Sequence, residues 1–64
     1  MKSIATAIQE GPYIKVYESN GQLLFSKYGG ELQGFTSSMV TIREGAYIAG
    51  YDARGNRIFW KHQP

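Results

Sequence analysis

SIATAIQEGPYIKVYESNGQLLFSK, residues 3–27, lies over SSMVTIREGAYIAGYDARGNRIFWK, residues 37–61, at an offset of 34 with no gap. Ten of the 25 positions are identical: Ser3/Ser37, Ile8/Ile42, Glu10/Glu44, Gly11/Gly45, Tyr13/Tyr47, Ile14/Ile48, Tyr17/Tyr51, Gly21/Gly55, Phe25/Phe59 and Lys27/Lys61. Glu18/Asp52 and Leu24/Ile58 are conservative. A fixed-period match of this kind is the mark of an internal repeat, and it organises the rest of the reading.

Each copy reads as three strands joined by two tight turns. Ile4, Thr6 and Ile8 alternate along residues 3–9, and Val40 and Ile42 along 38–43; period two with β-branched residues signals a strand. Glu10-Gly11-Pro12 and Glu44-Gly45-Ala46 break the alternation as turns. Pro12 opens a strand, where its missing N–H is tolerated. Strands follow at Tyr13–Glu18 and Tyr47–Asp52, then turns, then strands at about Leu23–Tyr28 and Arg57–Lys61. In the second turn of each copy an acidic residue, Glu18 or Asp52, precedes Gly21 or Gly55 by three positions. That pattern suits a type I turn closed by a left-handed glycine, a conformation costly to any residue with a Cβ. No segment holds a 3.6-residue apolar period. The expected fold is therefore all-β: six antiparallel strands as two duplicated three-stranded meanders, forming a small barrel or sandwich with pseudo-twofold symmetry. The whole of 1–64 is one domain, with residues 28–36, rich in glycine, as the linker between repeats.

The hairpins Tyr17-Glu18-Ser19-Asn20-Gly21 and Tyr51-Asp52-Ala53-Arg54-Gly55-Asn56 resemble the tyrosine-aspartate repeat hairpin of large bacterial secreted toxins. The whole pattern also looks like a group of small uncharacterised bacterial and phage-associated proteins built from this meander twice. These resemblances imply the hairpin architecture and bring no site residues with them. Glu18 departs from the aspartate of the hairpin pattern, which implies a weaker side-chain cap on the first turn.

Composition narrows the function classes. There is no cysteine, so disulfides and thiolate-ligated zinc are excluded. A chain of 64 residues must rely on a well-packed core or on oligomerisation. The net charge of +2 permits an anionic partner without requiring one. The N-terminal segment Met1–Glu10 lacks the long apolar region of a signal peptide, and no transmembrane run exists. The expected compartment is the cytoplasm.

No constellation of residues suggests catalysis. His62, the only histidine, follows the last expected strand without a carboxylate neighbour in sequence and reads as an exposed tail residue. Thr36, Ser37 and Ser38 have no paired base and read as strand-start residues rather than nucleophiles. Glu10, Glu18, Glu31, Glu44 and Asp52 mostly sit at turns, as turn formers rather than as an acid–base pair. Gly29-Gly30 and Gly34 precede no helix, so a phosphate cradle fails on context. Neither a metal nor a cofactor is expected.

Alternation sorts the strand residues into two sets. Ile4, Ile8, Ile14, Val16, Leu24, Val40, Ile42, Ile48, Ile58 and Trp60 form an aliphatic set expected in the core. The other face carries Leu23 and ten aromatic or basic residues: Tyr13, Lys15, Tyr17, Phe25, Lys27, Tyr47, Tyr51, Arg57, Phe59 and Lys61. Those ten can be ordinary cross-strand pairs, or an interaction surface. The favoured reading is a non-enzymatic interaction module that self-associates as a homo-oligomer, with an unidentified protein partner as a variant of it. The alternative is a small nucleic-acid-binding barrel, with bases stacked on the aromatics and phosphates held by Lys and Arg. A weaker third option is an enzyme assembled at a subunit interface and dependent on His62.

Overall fold

The computed structural model describes residues 3–63 and contains seven strands: β1 Thr6–Glu10, β2 Tyr13–Tyr17, β3 Leu23–Tyr28, β4 Glu31–Phe35, β5 Met39–Glu44, β6 Tyr47–Asp52 and β7 Arg57–His62. All neighbouring strands are antiparallel, in two sheets ordered β1-β2-β3 and β4-β5-β6-β7. The all-β class is as expected. The strand count is not: the supposed linker 28–36 contains β4, and only Gly29 and Gly30, both in the left-handed region, carry the chain from one sheet to the other. The two sheets do not close into a barrel.

Registers repeat at the offset of 34. Glu10 pairs with Tyr13 and Glu44 with Tyr47; Tyr13 pairs with Tyr28 and Tyr47 with His62. The bulges coincide too, at Val16/Tyr17 and Gly50/Tyr51. The turns coincide as well. Gly21 N donates to Glu18 O and Gly55 N to Asp52 O, and both glycines adopt φ of 87°. The sequence expectation for these turns therefore holds in both copies.

The sheets pack face to face around Ile14, Val16, Val40 and Ile42, which are wholly buried, together with Ile4, Ala7, Ala49 and Tyr51. Burying each large aliphatic side chain stabilises the fold by roughly 1.5–3 kcal/mol. Directly opposed residues of an antiparallel pair share a face. In the first sheet the inward face thus holds Ala7, Gln9, Ile14, Val16, Phe25 and Lys27. In the second it holds Val40, Ile42, Glu44, Ala49 and Tyr51.

These are not equivalent faces. Ile14 and Val16 correspond to Ile48 and Gly50, which point away from the core. Ile42 and Tyr51 correspond to Ile8 and Tyr17, which point outward from the first sheet. A twofold axis between the units would bury equivalent faces of both, so the expected pseudo-twofold symmetry is replaced by a head-to-tail stack.

The core list changes accordingly. Ile8 is 39% exposed, Ile58 53% and Trp60 43%, although all three were expected inside. Ala7 and Ala49 take the inward positions next to Ile8 and Ile48. Tyr51, expected on the aromatic outer face, is buried at 8% exposure.

Where β1 of the first sheet meets β4 of the second, a side chain joins the strands. Gln9 Nε2 donates to Gly30 O at 3.1 Å, and Gln9 Oε1 accepts from Leu32 N at 3.0 Å. Ile4 N donates to Ser37 O at 2.8 Å farther along. Among the described residues no helix is long and apolar enough to cross a membrane.

Candidate interaction surfaces

The ten aromatic and basic residues do not share one face. The bulge at Val16/Tyr17 is the reason. It leaves Leu24 without a partner, so alternation counted through the hairpin changes sides between Leu23 and Phe25. Tyr13, Lys15 and Tyr17 lie on the outer face of the first sheet, while Phe25 and Lys27 turn inward. The bulge at Gly50/Tyr51 does the same in the second sheet. Tyr47 and Tyr51 lie on the core-side face, and Phe59 and Lys61, opposite Gly50 and Ile48, lie on the outer one.

Three of the ten build the joint between the units. The Phe25 and Tyr51 rings sit 6.5 Å apart. Phe25 also lies against Gly55, where a Cβ would come within 3.2 Å of the ring. Lys27 Nζ lies 3.6 Å from Glu44 Oε1 and 5.3 Å from the centre of the Tyr51 ring. Tyr51 Oη donates to Glu44 Oε2. Burial first, and then that hydrogen bond to Glu44, push the Tyr51 phenol up to about 12.

Tyr13, Lys15 and Tyr17 occupy the outer face of the first unit with Ile8 and Glu10. Tyr13 meets Tyr28 edge-on at 5.1 Å. Lys15 Nζ is 2.9 Å from Glu10 Oε1, and this hydrogen bond raises the lysine pKa. On the outer face of the second unit the Phe59 ring lies over Gly50, so close that a Cβ there would be 2.1 Å from Cε2. The glycine leaves a hollow that the aromatic fills.

β7 is exposed at all six positions. On the core-side face, beyond the cover of the first sheet, Trp60 stacks on Tyr47 at 4.6 Å and the Arg57 guanidinium sits 4.3 Å from the Trp60 ring centre. His62 is the last residue of β7 rather than part of a tail, with its ring 5.0 Å from Tyr47. Trp60 and His62 are the members of this cluster that face assignment from sequence placed elsewhere. Their common side follows from the pairs Ala49/Trp60 and Tyr47/His62.

Thr36 and Ser38 shape the β4–β5 turn: Thr36 N donates to Met39 O, and Ser38 N to Thr36 Oγ1. Asp52 Oδ1 accepts from the amides of Arg54 and Asn56, both at 2.9 Å. In the first copy, where Glu18 replaces it, Asn20 Oδ1 takes the amide of Gln22 instead. No protein family, curated protein or solved structure matches the chain.

Proposed function

We propose that this protein is a non-enzymatic interaction module of the cytoplasm that works by self-association, and that its two units arose by duplication of one meander. The matching registers and bulges support the duplication. The observation that carries the binding reading is apolar surface left uncovered. Ile8, Tyr13, Ile58, Phe59 and Trp60 are all exposed on a chain of 64 residues. Surface of that kind gathered on sheet faces marks contact with a partner. Light scattering across a tenfold concentration range tests it. The expected result is a mass that rises above 7.2 kDa with concentration; a constant 7.2 kDa removes the reading.

A second reading, binding of single-stranded nucleic acid, is favoured by the Tyr47–Trp60–Arg57 stack. Stacking platforms next to a cation hold bases in this way. Titration of mixed single-stranded DNA and RNA at low salt, followed through Trp60 emission, tests it. Binding that weakens steeply as salt rises supports this reading, and an unchanged emission ends it.

A further inference from the structure

We infer that the chain assembles head to tail, the outer face of its second unit docking on the outer face of the first unit of another copy, by repetition of its own internal joint. The inference rests on the self-association proposed above and names the surfaces that make it.

The internal joint is heterologous. One face of the first unit, carrying Phe25 and Lys27, meets the non-equivalent face of the second unit, carrying Glu44 and Tyr51. A heterologous contact leaves one copy of each surface unused, and the unused pair can meet again between molecules. Here the unused surfaces are the outer face of the second unit, with Phe59 and Lys61, and the outer face of the first, with Glu10 and Tyr17.

The side chains that make the joint are those the repeat keeps. Phe25, Lys27, Glu44 and Tyr51 correspond to Phe59, Lys61, Glu10 and Tyr17, and all four pairs are identical. Gly55, which receives the Phe25 ring, corresponds to Gly21, where nothing lies within 4 Å of the Cβ position. Applying the internal relation once more sets Phe59 against the partner's Tyr17 and Gly21. It sets Lys61 against the partner's Glu10. The charges are complementary: Lys61 is exposed, and among the described residues the exposed Glu10 pairs with the half-buried Lys15.

The joint between molecules is weaker than the internal one. Lys15 stands where the internal joint has Ala49, Thr6 where it has Val40, and Gly50 where it has Val16. Ile8 and Ile48 keep an apolar centre. More polar contact and less aliphatic burial give an association that depends on concentration.

Two variants, each disabling one surface, test the arrangement. Tyr17→Arg alters only the first-unit surface and Lys61→Glu only the second-unit surface. Neither residue is buried, and circular dichroism checks that each variant folds. Each alone is expected to stay at 7.2 kDa at concentrations where wild type is larger. Mixed in equal amounts, they are expected to form a complex of two chains and no more, because one intact contact joins them and both ends are blocked. A second pair reads the charge contact: Glu10→Lys and Lys61→Glu each lower association at least about tenfold, and the double swap restores it. Wild type that associates while either single-surface variant associates equally well overturns the head-to-tail arrangement and leaves self-association standing. A mixture that stays monomeric also overturns it. Wild type that stays monomeric removes both.

Discussion

Tyr51 and Glu44 are joined by a hydrogen bond of 2.5 Å at the boundary between the two units, with Lys27 of the first unit reaching the same carboxylate. The equivalent pair in the first unit, Tyr17 and Glu10, does not repeat it: Glu10 turns to Lys15 instead. The same two residue types are a part-buried latch in one copy and part of the outer face in the other.

That latch makes stability depend on alkaline pH. The Tyr51 phenol is raised from its ordinary value near 10 to about 12. In the unfolded chain it loses its proton near 10, whereas the folded chain holds it to higher pH. The stabilisation is therefore complete below pH 10 and is lost as pH rises through about 12. Thermal melts of wild type and Tyr51→Phe between pH 8 and 12 are expected to differ in slope. Wild type loses stability over the upper part of the range, and the variant lacks that component. Parallel curves would refute the assignment.

Asp52 acts at the opposite end of the pH scale. The amide of Asn56, and then that of Arg54, hold its carboxyl below the usual range. A lowered folded value gives stabilisation that is present above the ordinary carboxylate pKa and lost as pH falls through the folded one. Asp52→Ala is expected to lower Tm at neutral pH, with the gap to wild type closing on acidification. Glu18→Ala, at the equivalent turn capped by Asn20, is expected to show a smaller gap.

Gly21 and Gly55 separate backbone strain from packing. Both have φ of 87°, so valine at either position costs about 1–2 kcal/mol from the left-handed conformation alone. Only at Gly55 does the new side chain also meet the Phe25 ring. Gly55→Val is therefore expected to exceed Gly21→Val by about 1 kcal/mol in denaturant unfolding. Equal costs would mean that the two units are not packed together in solution as described.

Six of the seven strands were legible because period-two alternation and glycine turns report them directly. β4 was not. Its bulge lies between Leu32 and Gly34, so its two large apolar residues, Leu32 and Phe35, fall out of alternation among three nearby glycines. The faces were harder still. Counting by hydrophobicity chose Ile8 over Ala7 and Ile48 over Ala49, yet the closely packed centre takes the alanines. Bulges then reversed the sides of Phe25 and Phe59 relative to their hairpin partners. The ten residues of the candidate surface do not share a face, because a single extra residue moves every later side chain across the sheet.

The Gln9 bridge has a consequence for the order in which the chain folds. Within each unit every strand pairs with its neighbour in sequence, so the hairpins close short loops at small entropic cost. The bridge from Gln9 to Gly30 and Leu32, the Ile4–Ser37 bond and the packing of Phe25 on Tyr51 span longer stretches of chain. Local contacts form first and distant ones follow. A side-chain amide standing in for a backbone ladder can engage after both meanders exist, so the seam where the sheets meet is the last part of the molecule to form and the first to open.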